Sequence, residues 1–325
     1  MLKNLTLAKY YDEPNNKYNI ISVSVFRLAT NYKPMFLYYS GLRKLIDITP
    51  QYFEGYYLRI YFDDSIIKPN YDNDEINNEI KEQWLPLIEY AKMKSHVQLV
   101  KYHHSDFTYG LGHSGLFGTM VRFIPLFDYD INNNVNIVYV ADIDIFEELK
   151  LGLWNSINQL FSQFIKSKSK LHFRTKYCYY TENRFYRSGT ELYTWRVIFA
   201  GTIISKMKFP KYLLDNFIEC MKKDKAERKG TGCEKINKFL NIEYEGYRTE
   251  DKIKLMSITD FIYGIDEFFM NTDFMKYIFD NKINFSTSVY PDIVRSIYRI
   301  YVKYESSFKA NKSVYVELMK KIMGE

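Results

Sequence analysis

The sequence is poor in cysteine and histidine, with three cysteines and five histidines among 325 residues. The cysteines, Cys178, Cys220 and Cys233, have no paired spacing, and no histidine stands at zinc-ligand spacing from any of them. We therefore expect neither a disulfide framework nor a structural zinc site, and a reducing compartment fits the chain best.

Long apolar runs and glycine-rich phosphate loops are absent as well. No segment reaches the roughly 18 apolar residues of a membrane span, and no apolar signal region follows Met1. We therefore expect a cytoplasmic enzyme, or a catalytic domain supplied without its anchor. Because neither a Gly-x-Gly-x-x-Gly motif nor a P-loop occurs, capture of phosphate by such a loop is not expected.

The chain is rich in apolar and aromatic residues, which make up 46% and 18% of it, enough for a substantial core. The net charge of +6 comes from 45 basic and 39 acidic residues. Such a mild excess suits an enzyme that binds an anionic nucleotide. It forms no basic tail, and a nucleic-acid partner is not expected.

Strand and helix patterns alternate through the first half of the chain. The predicted strands cover residues 20–26, 56–62, 97–102 and 136–143, and the predicted helices cover 34–46, 76–91 and 114–127. The second half predicts a strand at 193–205 and helices at 210–221, 259–279 and 307–323. This alternation of strands and helices predicts an α/β fold with a Rossmann-type, mainly parallel sheet flanked by helices.

An acidic pair, Asp142 and Asp144, ends the most apolar predicted strand. Side chains two apart on a strand share a face and lie ~6.6 Å apart, so both carboxylates can converge on one divalent ion. Oxygen ligands suit a hard cation such as Mg²⁺ or Mn²⁺. Asp-x-Asp also occurs as two solvated loop acids, but the buried strand that leads into this pair favours a site.

The segment around this pair resembles the glycogenin and lipopolysaccharide galactosyltransferase-like family. The resemblance rests on an arginine on a helix, Arg122, an Ile-Pro at 124–125, and the strand Val138-Tyr139-Val140-Ala141-Asp142-Ile143-Asp144. It implies a GT-A-like catalytic domain over residues 1–280 and a helical C-terminal extension packed on it over residues 281–325. It also implies a hexosyltransferase that uses Mn²⁺ or Mg²⁺ to move sugar from a UDP-sugar to a glycan, protein or small-molecule acceptor.

The same resemblance implies roles for individual residues. Arg122 would reach the nucleotide sugar, and Asp142 and Asp144 would hold the metal. The remaining donor-binding positions that it implies are Val25, Phe26, Arg27, Asn31, Tyr32, Ile143, Ala200 and Gly201. Asp266 and Glu267 would lie beside the anomeric carbon or the acceptor hydroxyl, where a carboxylate can accept a proton. One departure is that no histidine follows His172, whereas the family supplies a third metal ligand from a C-terminal histidine.

Two other functions remain open on the sequence alone. A metal-dependent nuclease or phosphotransferase would need Asp63-Asp64, Asp142 and Asp144, and Asp266-Glu267 to converge, aided by the basic run at 166–176. A protein that binds a nucleotide sugar without catalysis would keep the same fold and the same acids.

Overall fold

A computed structural model describes residues 5–27, 35–109, 112–113, 117–143, 161–175, 198–227, 266 and 269–289. It confirms the predicted α/β class, with one eight-stranded sheet and helices on its faces. The strands of this sheet are β1 (Leu5–Tyr10), β2 (Tyr18–Val25), β3 (Tyr56–Phe62), β4 (Val97–His104), β7 (Val135–Ala141), β8 (Leu171–Thr175), β9 (Ile198–Ser205) and β10 (Phe285–Val289). A separate two-stranded hairpin consists of β5 (Thr108–Tyr109) and β6 (Gly112–His113).

The strands of the main sheet follow the order β1-β4-β3-β2-β7-β9-β8-β10. The four central strands β4, β3, β2 and β7 are parallel, as the alternating pattern predicts. Strands β1 and β9 make the sheet mixed, because β1 pairs antiparallel with β4, and β9 pairs antiparallel with both β7 and β8.

Three strands of the main sheet were not predicted from the sequence: β1, β8 and β10. In β1, Leu5 and Leu7 pack against the core, and Thr6 between them is exposed. Strand β10 pairs in parallel with β8, so residues 285–289 belong to the sheet and not to a helical extension. Residues 290–325, which make up most of the predicted extension, lie outside the described part of the chain.

The helices lie between the strands. They are α1 (Met35–Tyr52), α2 (Asp74–Glu79), α3 (Leu85–Lys92), α4 (Phe117–Val121), α5 (Tyr212–Glu227) and α6 (Met275–Asp280). A π-helical segment, Ile80–Trp84, joins α2 to α3, and the Asn73 side chain caps α2 by accepting from the Ile76 amide. Gly55 turns the chain from α1 into β3 with a φ of 77°, a conformation that favours glycine. No helix in the described ranges is both long and apolar enough to cross a membrane.

The helix predicted over 114–127 is wrong beyond Val121. Helix α4 ends there, and a 3₁₀ turn, Ile124–Leu126, follows it. Pro125 lacks an amide hydrogen, and its ring would clash with a carbonyl of the preceding turn in a continuous α-helix. As a result Arg122 lies in the break between two short helical elements.

Separate hydrophobic clusters cover the two faces of the central strands. On β2, Ile21 and Val23 join one cluster, whereas Ile20 joins the other. On β7, Tyr139 and Val140 face opposite clusters in the same way. Burial on both faces explains why these strands are nearly continuous apolar runs.

Candidate functional site

The carboxyl ends of the four parallel strands meet at one edge of the sheet, where ligands of open α/β folds usually bind. Asp142 follows β7 directly, Phe26 and Arg27 follow β2, and Asp63 follows β3. Polar side chains that the sequence predicts for a site therefore stand at this edge, supported by buried strands.

Arg122 joins two acids that lie far apart in the sequence. Its Nη2 atom donates to Oδ2 of Asp266 over 2.6 Å, although the two residues are 144 positions apart. Its Nη1 atom donates to Oδ1 of Asp142, 20 positions away, and makes a longer contact of 3.4 Å with the Ala141 carbonyl. One planar guanidinium thus holds both carboxylates side by side, a geometry for which arginine is well suited.

The backbone of Arg122 is also held in place. Its carbonyl accepts a hydrogen bond of 2.7 Å from Oγ of Ser22, which is completely buried in β2. The Arg122 side chain is nearly buried, at 7% exposure, so the guanidinium has little freedom to leave the two acids. Ser22 was not predicted as a site residue, and its hydroxyl among the apolar residues of β2 was the available signal.

Val25 and Phe26 occupy the end of β2 as expected. Val25 is buried in the hydrophobic cluster beneath α1, while Phe26 is partly buried against the opposite cluster. Gly118 of α4 lies so close that a Cβ atom there would stand 2.2 Å from Cδ1 of Phe26. The absence of a side chain at Gly118 therefore fixes where the Phe26 ring packs.

Arg27 is buried, at 2% exposure, and it forms an ion pair with Glu79. Its Nη2 donates to Oε1 of Glu79 over 2.6 Å, and the same oxygen accepts from Nε1 of Trp84 over 2.7 Å. The Arg27 amide donates to Oγ of Ser65 over 2.8 Å. Arg27 therefore connects the end of β2 to α2 through Glu79 and to the turn after β3 through Ser65.

Strand β9 borders the site on the other side. Thr202 pairs with Ala141, so Gly201 and Ala200, the two residues before it, run alongside the chain that continues into Asp142. Ala200 and Ile143 are both buried, at 2% and 4% exposure. Small residues at this position leave room for a ligand to approach the backbone.

Several predicted residues lie outside the described part of the chain: Asn31, Tyr32, Asp144 and Glu267. Within the described residues, no three acidic, histidine or cysteine side chains are grouped closely enough to hold a metal. The donor chemistry of Asp142 still fits a hard cation, because Oδ1 binds Arg122 and Oδ2 makes no hydrogen bond to a described residue.

Asp63 and Asp64, at the end of β3, have partners other than Arg122. Burial raises the pKa of Asp63 to about 7 and the nearby Asp64 adds to this, against hydrogen bonds from Ser65. Asp64 instead forms ion pairs with Lys68 and Lys101. Strand β2 lies between β3 and β7, so two strand spacings, roughly 10 Å, separate Asp63 from Asp142. Within the described residues, neither acid belongs to a group of three side chains that could hold a metal.

Comparisons of the chain with known protein families, with curated proteins and with solved structures find no match.

Proposed function

We propose that this protein is a metal-dependent glycosyltransferase that moves a sugar from a UDP-sugar to an acceptor hydroxyl. The observation that carries the proposal is the bridge from Arg122 to both Asp142 and Asp266. The sequence resemblance assigned these three residues to the donor, the metal and the acceptor side of one site. Their contact at the carboxyl edge of the sheet supports a shared role.

In the proposed site, Asp142 and Asp144 would hold a divalent cation. A bound Mn²⁺ or Mg²⁺ supplies charge neutralisation for the diphosphate leaving group without proton transfer. Arg122 orients Asp142 and Asp266 relative to each other, and its second contact with the Ala141 carbonyl fixes its plane.

The proposed reaction transfers one sugar from the diphosphate to the acceptor oxygen. The acceptor oxygen forms a bond to the anomeric carbon, while the bond from that carbon to the diphosphate oxygen breaks and UDP leaves. The acceptor proton passes to a carboxylate of the Asp266-Glu267 pair. Because Arg122 holds Asp266 at 2.6 Å, this carboxylate is fixed in position before substrate arrives.

A nuclease or phosphotransferase is less well supported by the arrangement of the acids. Asp64 is paired with two lysines, and β2 lies between β7 and β3, the strand that Asp63 follows. The described acids therefore offer no bridged pair of metal positions of the kind that two-metal phosphoryl chemistry uses.

A thermal-shift experiment separates these functions. We expect UDP with Mn²⁺ to raise the melting temperature of the wild type, and a single-stranded oligonucleotide of equal phosphate concentration to leave it unchanged. The Asp142→Asn variant should lose the response to UDP, whereas Asp64→Asn, an acid outside the bridge, should keep it. Stabilisation by the oligonucleotide and not by UDP would contradict the proposal.

A further inference from the structure

Five lysines from three separate segments of the chain lie at one edge of the sheet. We call them the lysine patch, and they are Lys166, Lys168, Lys170, Lys206 and Lys282. Backbone hydrogen bonds join the three segments. The Lys206 amide donates to the Lys170 carbonyl, and the Lys170 amide donates to the Asn284 carbonyl, each over 2.9 Å. The fold therefore gathers cations that lie far apart in the sequence.

The patch lies at the amino edge of the sheet, opposite the Arg122 bridge. Strand β9 runs antiparallel to both β7 and β8, and β10 runs parallel to β8, so β7, β8 and β10 all run in the same direction. The segments before β8 and β10 and the segment after β9 therefore meet at the amino ends of these strands. Asp142 follows the carboxyl end of β7, and the seven residues of this strand separate the two edges by roughly 20 Å.

The segment 166–170 presents its lysines to solvent. Its three lysines are exposed, whereas the two serines between them, Ser167 and Ser169, are half-buried. Ser167 donates from Oγ to the Phe164 carbonyl over 2.8 Å. Nζ of Lys206 donates to the carbonyls of Phe164 and Ser167 over 2.6 and 2.9 Å. These bonds hold the backbone of the segment, so the positions from which the three lysines extend are fixed.

The charge of the patch is not neutralised by ion pairs within the described part of the chain. The ion pairs of lysines there involve other residues, namely Lys9, Lys68, Lys92 and Lys101. Asp280, which ends α6 two residues before Lys282, is the acid nearest to that lysine in the sequence. Five cations against this one acid leave an excess of four positive charges, which favours an anionic partner.

Lys282 has a strained backbone. Its φ of 51° lies in the left-handed region, and among the described residues it is the one non-glycine residue with a positive φ. Glycine would adopt this turn at lower cost, because it has no Cβ atom. Strained residues cluster at functional positions, so an exposed lysine in this conformation supports a binding role for the patch.

An apolar side chain borders the patch. Ile165, directly before Lys166, is 45% exposed. An aliphatic side chain beside lysines suits a membrane surface, where the cations meet anionic head groups and the apolar group enters the boundary beneath them. Single-stranded nucleic acids, by contrast, are bound by basic grooves with aromatic rings on which the bases stack. The aliphatic neighbour of this patch therefore favours a lipid surface.

We propose that the lysine patch and Ile165 bind the surface of a lipid bilayer that contains anionic phospholipids. Each lysine near such a surface strengthens binding roughly fivefold, so the three lysines of the segment 166–170 together contribute about a hundredfold. A bilayer at the amino edge leaves the carboxyl edge of the sheet accessible. This surface is distinct from the Arg122 bridge, and its role does not depend on transferase activity.

Sedimentation of the full chain with sucrose-loaded vesicles tests the proposal. Vesicles of phosphatidylcholine mixed with phosphatidylserine are compared with vesicles of phosphatidylcholine alone at physiological salt. We expect binding to the mixed vesicles only, and added salt should weaken it by screening the charges. The combined variant Lys166→Gln, Lys168→Gln and Lys170→Gln should bind the mixed vesicles about a hundredfold more weakly.

A matched control removes the same net charge from three exposed lysines outside the patch and should bind nearly like the wild type. It combines Lys68→Gln, Lys81→Gln and Lys92→Gln. Lys282→Gly should relieve the strained turn and keep a melting temperature at least equal to that of the wild type, yet bind severalfold more weakly. Ile165→Ser should also bind severalfold more weakly, because it removes the apolar contact.

The Asp142→Asn variant should bind the mixed vesicles like the wild type, which separates this surface from the proposed transferase site. Absence of binding to the mixed vesicles overturns the proposal, as does an equal loss of binding in the control variant. A fluorescent single-stranded oligonucleotide serves as the competing partner. Tighter binding of the oligonucleotide than of the vesicles, lost in the variant of the segment 166–170, would assign the patch to nucleic acid and overturn the proposal.

Discussion

Removing the guanidinium of Arg122 should destabilise the protein far more than removing an exposed arginine. In Arg122→Met, the carboxylates of Asp142 and Asp266 lose the positive charge that both contact. Two charges of the same sign then remain close together in a nearly buried place, where water screens them poorly.

The burial of the three groups sets the size of the effect. The Arg122 side chain is 7% exposed, that of Asp266 is 11% exposed, and that of Asp142 is 22% exposed. Breaking a fully buried ion pair costs about 3–5 kcal/mol. Because Asp142 retains some access to water, we expect the lower end, about 3 kcal/mol, in the free energy of unfolding.

Urea unfolding followed by tryptophan fluorescence measures this loss. Arg43→Met is the matched control, since Arg43 pairs with Asp47 at the surface with both side chains 43% exposed, and it should cost about 1 kcal/mol or less. Adding Asp142→Asn and Asp266→Asn to Arg122→Met should recover part of the stability by removing the repulsion. The reasoning is refuted if Arg122→Met costs no more than Arg43→Met.

Three further predictions concern pH and packing. The folded state keeps Asp63 protonated up to about pH 7, whereas the unfolded chain releases the proton near 3.8. The free energy of unfolding should therefore fall by on the order of 4 kcal/mol between these pH values, and Asp63→Asn should remove that fall. Conversely, Lys208 loses its proton at about pH 7 when folded and near 10.5 when unfolded, so stability should rise above pH 7, and Lys208→Met should remove the rise. Gly118→Ala should displace the Phe26 ring and cost about 1–3 kcal/mol, instead of the ~1 kcal/mol gain usual for this substitution within a helix.

The same urea unfolding, repeated from pH 4 to pH 9, checks the two pH predictions. Parallel pH profiles of Asp63→Asn and the wild type below pH 7 would contradict the first. Parallel profiles of Lys208→Met and the wild type above pH 7 would contradict the second. Unchanged or increased stability of Gly118→Ala would show that the Phe26 ring moves aside at no cost.

The sequence predicts the central strands of the sheet well, because a run of apolar residues indicates a buried strand. Strand β3 begins and ends where its apolar run does, at Tyr56 and Phe62. Strand β1 is not predicted because it has only six residues. Most of them are exposed or half-buried at the edge of the sheet, so they form no apolar run. Strand β10 has a similar length and lies at the opposite edge.

Long-range polar pairing is harder to predict than strands. An arginine in the sequence does not reveal its partner, and Arg122, Arg27 and Arg59 look alike before folding. In the structure Arg122 contacts two site acids, Arg27 contacts Glu79, and Arg59 contacts neutral groups only. These differences arise from the tertiary fold, which brings together residues as far as 144 positions apart.

The most direct test of the proposed transferase is release of UDP from a panel of UDP-sugars in the presence of Mn²⁺. We expect the wild type to release UDP from at least one donor. Asp142→Asn should slow that release roughly a hundredfold, because the cation loses a ligand worth a few kcal/mol of charge stabilisation. Asp64→Asn should release UDP at the wild-type rate. Full activity in Asp142→Asn, or binding of UDP-sugars without release from any of them, would contradict the proposed transferase.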